Sequence, residues 1–108
     1  MRIRSFIEQH LGDPRLSPSL IAEAHHISLR SLQRIFQRDD QTVADWIRHR
    51  RLERCRRDLA APLLSARPVH AIAAMWGFPC PQHFSRAFRA AYGMSPQEYR
   101  RVACYGEA

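Results

Sequence analysis

Apolar residues recur at three- and four-residue intervals in short bursts, separated by polar stretches that carry proline or glycine. Ile3, Phe6, Ile7 and Leu11 share one helical face, and Gly12 followed by Asp13-Pro14 ends that segment. Ser17 stands before Pro18, an N-cap followed by the one helical position where proline is welcome. The helix it opens runs to about Ala24, with Leu20, Ile21 and Ala24 expected to turn inward. Ser28 caps a third helix whose buried face holds Leu32, Ile35 and Phe36. The longest predicted helix spans residues 42–59, with Val43, Trp46, Ile47, Leu52, Cys55 and Leu59 as its apolar positions. Residues 60–68, with Pro62 and Pro68, read as a short connection.

The second half repeats the plan. Val69, Ile72, Ala73 and Trp76 predict a short helix ending at Gly77. Pro81 begins another, with Phe84, Phe88 and Ala91 inside and Gly93 as its stop. Ser95-Pro96-Gln97-Glu98 is a capping box with proline at the first helical position, and it opens a last short helix holding Tyr99. No stretch alternates apolar and polar residues with β-branched enrichment. The expected fold is all-α, with seven helices.

The two halves also match residue by residue. Leu20-Ile21-Ala22 corresponds to Ala71-Ile72-Ala73, and Leu32-Gln33-Arg34-Ile35-Phe36 to Phe84-Ser85-Arg86-Ala87-Phe88. The offset changes from 51 to 52 between the two matches, so the second turn holds one more residue. Ala22 and Ala73 are small where two helices crossing steeply need close backbone approach. His26 and Gly77 follow at the same distance, where the turn calls for a left-handed backbone that glycine adopts freely and histidine less readily. Ile27 and Phe78 then plug each turn into the core. A single copy would fit any helical hairpin; two copies, each followed by an arginine-bearing outward face, predict paired helix-turn-helix units.

Charge sharpens this picture. In 108 residues, 17 Lys+Arg oppose 10 Asp+Glu, a formal net charge of +7, and every one of the cationic residues is arginine. The 45% hydrophobic content is that of a folded domain, so the charge marks an anionic partner and not a disordered tail. No apolar run approaches the roughly 18–20 residues that span a bilayer. Charge arrives too early in Met1–His10 for a signal peptide. Cys55, Cys80 and Cys104 are odd in number and widely spaced, which excludes a disulfide framework and a C-x-x-C metal knuckle. These features predict a reduced, cytoplasmic protein with no metal or cofactor.

Ile72-Ala73 through Gly77-Phe78, then His83 through Arg89, Tyr92-Gly93-Met94-Ser95-Pro96 and Tyr99-Arg100 form a long C-terminal signature. On these residues, with Ser28–Phe36 and Arg51–Cys55 in support, the chain resembles the DNA-binding domain of AraC/XylS-type bacterial transcription regulators over Arg2–Arg101. The resemblance implies a first helix-turn-helix subdomain (1–41), a linker helix (42–59) and a second subdomain with a short C-terminal helix (60–108). It implies sequence-specific binding of double-stranded DNA at the bacterial nucleoid, with RNA polymerase as a candidate partner.

Periodicity separates buried from presented residues on the two recognition helices. Arg30, Ser31, Gln33 and Arg34 face outward on the first; Gln82, His83, Ser85, Arg86 and Arg89 do so on the second. The family places base or phosphate contacts at positions matching Arg30, Gln33, Arg34, Gln82, His83, Ser85 and Arg86. An arginine fork suits guanine O6 and N7, and glutamine suits adenine N6 and N7. Cys80 stands where Ser28 stands in the first copy, and a thiol is the poorer acceptor, so the second helix start is expected to be less well capped.

Arg48, Arg50, Arg51, Arg54, Arg56 and Arg57 load the linker helix, for phosphate contact or for pairs such as Glu53–Arg57 and Arg54–Asp58. Two heads entering grooves about 34 Å apart would let a monomer read an asymmetric site. A sensor domain has no counterpart in the sequence, so it reads as a stand-alone regulator or as the DNA-reading part of a longer one. The rival reading, a basic amphipathic module for anionic membranes or partner proteins, accounts for residues 46–58 but leaves the repeat unexplained. An enzyme is not expected: His25, His26 and His49 have no carboxylate or cysteine at ligand spacing.

Overall fold

The computed structural model describes residues 2–38 and 40–106; Met1 and residues 107–108, the outer ends of the two subdomain ranges, lie outside them. Among the described residues there are seven α-helices and no strand: α1 (Arg2–Gln9), α2 (Pro18–Ala24), α3 (Leu29–Gln37), α4 (Val43–Ala60), α5 (Val69–Met75), α6 (Pro81–Tyr92) and α7 (Pro96–Tyr105). The connection after α4 holds a single 3-10 turn, Pro62–Leu64.

The helix starts follow the capping chemistry of the sequence. Ser17 Oγ accepts from Leu20 N–H at 3.2 Å, Ser28 Oγ from Ser31 N–H at 3.0 Å, and Thr42 Oγ1 from Asp45 N–H at 3.0 Å. Ser95 and Glu98 exchange side-chain bonds with each other's backbone N–H groups, a closed capping box. Each satisfies N–H groups that a helix start leaves without intrahelical partners.

Two hydrophobic cores form, one in each half. The first gathers residues such as Ile7, Leu11, Ile21, Leu32 and Phe36; the second gathers Cys55, Leu59, Ile72, Phe84 and Phe88. α4 feeds both, giving Val43 and Ile47 to the first and Leu52, Cys55 and Leu59 to the second. Its buried positions therefore lie on two faces, and no single apolar stripe runs its length. Trp76 packs against both cores. The resulting body measures 47 × 25 × 23 Å.

Three expectations about burial are corrected. Leu20 is 39% exposed and Ala24 is exposed; the inner face of α2 is Ile21 and Ala22. With only seven residues, α2 makes its close approach through the small Ala22, leaving the Leu20–Ala24 stripe to one side. Ala91 is also exposed, and Ala87 packs beside Phe84 and Phe88 in its stead. Leu16, between α1 and α2 and given no place in the core by the sequence pattern, is buried at 6% exposure.

Buried Asp58, on α4, accepts a 2.7 Å hydrogen bond from Trp76 Nε1 and so ties the linker helix to the turn after α5. Asp58→Ala leaves that indole N–H without its acceptor and should cost about 1–3 kcal/mol. Asp58→Asn keeps an acceptor and should cost less; urea unfolding of both variants measures the difference.

Candidate nucleic-acid interface

Each half carries a short helix, a sharp turn and a second helix that lies outermost. His26 sits at φ 55° and Gly77 at φ 92°, the left-handed geometry expected from the repeat. Each turn is closed by the same backbone bond, Ile27 N–H to Ala22 O at 3.0 Å and Phe78 N–H to Ala73 O at 2.9 Å. Ile27 and Phe78 then dip into the first and second cores. These turns aim α3 and α6 outward, burying Leu32 and Phe36 in one and Phe84 and Phe88 in the other.

All nine candidate contact residues are exposed: Arg30, Ser31, Gln33 and Arg34 on α3, and Gln82, His83, Ser85, Arg86 and Arg89 on α6. Their internal engagements differ. Ser31 Oγ accepts from Ser28 Oγ at 2.9 Å, Gln82 Oε1 receives the Cys80 thiol at 3.5 Å, and Arg89 reaches Glu98 at 3.4 Å. The side chains of Arg30, Gln33, Arg34 and Arg86 make no hydrogen bond or ion pair among the described residues. Arg34 and Arg86, at matching places in the two copies, thus keep their full donor sets for an outside partner. The start of α6 has no side-chain cap, as the exchange of serine for Cys80 led us to expect.

The arginines of α4 behave otherwise. Arg48 pairs with Asp45 at 2.8 Å, Arg50 and Arg54 both reach Glu8 at 2.7 and 3.0 Å, Arg56 pairs with Glu53 at 3.0 Å, and Arg57 with Asp58 at 3.2 Å. The expected Glu53–Arg57 and Arg54–Asp58 pairs are replaced: Glu53 also takes the Tyr92 hydroxyl, and Asp58 holds Trp76. Burial and the bond to Glu53 push the Tyr92 hydroxyl up, and that same bond pulls the Glu53 carboxyl below its ordinary value. Burial pushes the Cys55 thiol up to about 12, so it stays protonated and inert at neutral pH.

Glu8 is the hub between α1 and α4. The hydrogen bond from Arg50 does most to hold its carboxyl below the ordinary 4.5; burial opposes it, and the bond from Arg54 adds to it. A lowered folded-state value means that stability is fully present above the ordinary value and is lost as pH falls through the lowered one. Urea midpoints should therefore drop as pH falls below about 4.5, and Glu8→Gln should flatten that drop.

A cleft of about 600 Å³ lies between the start of α4 and the outer face of α6, lined by Gln41, Arg48, His49 and Arg86 among others. Its polar wall at Gln41 and His49 escaped the sequence reading, because only the packing of α6 beside α4 brings them next to Arg86. No group of three or more His, Cys, Asp or Glu side chains that could hold a metal ion occurs among the described residues.

Two outward recognition helices on one bridging helix define a helix-turn-helix DNA-binding domain. A family model for the helix-turn-helix domain matches residues 21–102. The chain belongs to the AraC-type helix-turn-helix family, whose function is DNA binding and transcription regulation. It is 34% identical over 97 residues to the regulatory protein SoxS of Escherichia coli strain K12, covering 89% of this chain and 87% of that one. It is 39% identical over 100 residues to the transcriptional activator NphR of Rhodococcus sp, covering 93% of this chain but only 29% of the relative's length. The C-terminal domain of AraT, a response regulator from Geobacillus stearothermophilus, superposes with a TM-score of 0.85 at 31% identity, over 95% of this chain and 84% of that one. A transcriptional regulator from Chromobacterium violaceum with an AraC-type DNA-binding domain gives 0.83 at 27%, over 94% and 88%.

The basic-amphipathic alternative draws no support from this arrangement. Five of the six α4 arginines that would form its charged stripe are paired with carboxylates, and among the described residues no helix is long and apolar enough to cross a membrane.

Proposed function

We propose that this chain reads an asymmetric stretch of duplex DNA as a monomer, with α3 and α6 in successive major grooves, and thereby regulates transcription from the bacterial nucleoid in the cytoplasm. The observation that carries the reading is a pair of exposed arginines, Arg34 and Arg86, without a hydrogen-bond or ion-pair partner among the described residues, at equivalent places on two recognition helices of one body. That body is 47 Å long, enough to bridge the roughly 34 Å between successive grooves.

In this reading Arg30, Gln33 and Arg34 contact one box, and Gln82, His83, Ser85 and Arg86 the other. Ser31 and Arg89 support the faces from beside them. Arg48 and His49, in the cleft between α4 and α6, take the phosphates that pass between the boxes. The relatives called activators support a productive contact with RNA polymerase by the whole regulator. The proposed subdomains are residues 1–41 and 60–108, with residues 42–59 as the bridge.

Selection of binders from random duplexes tests this. The recovered sites should contain two different boxes about one helical turn apart, bound by one chain each. Affinity should fall with salt at a log–log slope of about −0.9 per phosphate engaged. Recovery of a palindrome bound by two chains would overturn the monomeric reading. Binding to anionic vesicles as tight as binding to the selected duplex would overturn the DNA reading itself.

A further inference from the structure

Arg51 stands apart from the other arginines of α4. Among the described residues its guanidinium pairs with no carboxylate: Nε donates to Leu11 O at 2.9 Å and Nη2 to Asp13 O at 2.6 Å, both in the segment that closes α1. Those carbonyls belong to the first half of the molecule. On its other side the same guanidinium lies against the turn of the second half. A Cβ added to Gly77 would fall 2.6 Å from Arg51 Nε and 2.8 Å from Leu11 O. One residue along, a Cβ on Gly12 would fall 2.8 Å from Met75 O. The backbones of the two halves therefore meet at a seam where only glycines fit, with the Arg51 fork wedged in it.

The seam sits at the turn that aims α6. Gly77 is the left-handed residue of that turn, and Trp76 beside it packs on both cores. A shift of the 11–13 segment relative to this turn would rotate the second recognition helix against the first. Partial burial depresses the Arg51 guanidinium below its ordinary value. Bidentate donation from a planar fork fixes an angle as well as a distance, which a lysine ammonium would not do.

We infer that Arg51 is a positioning residue that pins the two heads at one separation and angle, so that the protein accepts its two DNA boxes at a single spacing. This rests on the two-box reading above. It goes beyond that reading in assigning spacing selectivity to a residue that need not touch DNA.

The test uses the 108-residue chain, the duplex selected by the unaltered protein, the same duplex with one or two base pairs added or removed between the boxes, and duplexes with a single box. The unaltered protein should lose at least about tenfold in affinity for a one-base-pair change, since each such step also rotates one box about the helix axis. Arg51→Met keeps the stem and deletes the fork. It should bind the altered spacings within about threefold of the original while binding single-box duplexes as the unaltered protein does. Gly12→Ala pushes the seam open from the Met75 side with Arg51 intact and should relax spacing in the same way, which keeps the test decisive if Arg51→Met folds poorly.

Unfolding measured in parallel separates positioning from mere stability. A lower urea midpoint with undiminished spacing discrimination in the folded variants would overturn the role given to Arg51. An unaltered protein that prefers no two-box duplex would overturn the two-box reading and this inference together; one that does, alongside variants that discriminate as sharply, overturns the inference alone.

Discussion

Gly77→Ala should be the most damaging single-methyl change in the molecule, lowering stability by about 2–4 kcal/mol. Two independent costs add. The residue sits at φ 92°, where an L side chain is strained. The added Cβ would also fall within 3 Å of the Arg51 guanidinium and the Leu11 carbonyl. Neither neighbour is free to retreat, because each is the other's hydrogen-bond partner. For a chain of this size the expected loss corresponds to a fall in Tm of roughly 10–25 °C. The equivalent position in the first half is the control: His26, at φ 55°, is exposed and already bears a side chain. His26→Gly should leave stability within about 1 kcal/mol, since relief of the left-handed backbone offsets the added freedom of the unfolded chain. Urea unfolding of both variants, with unchanged denaturant dependence, measures the contrast. A Gly77→Ala protein as stable as the His26 variant would mean that the two halves are not in tight contact at this turn.

The same pair of residues shows how far the sequence could be read. Both turns were legible because left-handed geometry narrows the choice of residue, and a glycine and a histidine at matching places report it. Caps were legible for a related reason: Ser17, Ser28 and Ser95 act within three residues of themselves. The outward faces of α3 and α6 followed from periodicity alone. What failed was set by how helices meet. Whether Leu20 or Ala22 lies inside depends on which flank of a seven-residue helix its neighbour crosses, and periodicity allows both.

Ion pairing was less legible still. Glu53–Arg57 and Arg54–Asp58 have good helical spacing, yet the carboxylates are taken by partners remote in sequence: Tyr92 for Glu53, Trp76 for Asp58, while Glu8 draws in Arg50 and Arg54. The partners of Arg51 gave no signal at all, because backbone carbonyls have no residue type. The effect on function is considerable. The net charge of +7 implied an anionic partner without saying where it would bind. Five of the six α4 arginines turn out to be matched with carboxylates, whereas Arg30, Arg34 and Arg86 on the recognition helices have no such match among the described residues.

Arg34→Ala and Arg86→Ala should each erase sequence preference at one box and spare the other. A bidentate arginine–guanine contact carries about 1–3 kcal/mol of discrimination, so each change should cut the preference for its own box by roughly 5- to 150-fold. Neither arginine has a partner among the described residues, so both variants should unfold within about 0.5 kcal/mol of the unaltered protein. Their effects should add in the double variant, because the two side chains lie on separate heads and share no partner. Arg34→Lys separates charge from geometry: the cation is kept but the fork is lost, so the salt dependence of binding should persist while preference at that box declines. Arg57→Ala removes one positive charge from α4, where the side chain is 56% exposed and already paired with Asp58. It should weaken binding to all duplexes alike or leave it unchanged. Competition binding against duplexes altered one base pair at a time, repeated at several salt concentrations, measures the binding of all five variants. If Arg34→Ala and Arg86→Ala both kept the full preference of the unaltered protein, the recognition residues would have to be sought elsewhere on α3 and α6, beginning with Arg30 and Gln33 on the first and Gln82 and His83 on the second.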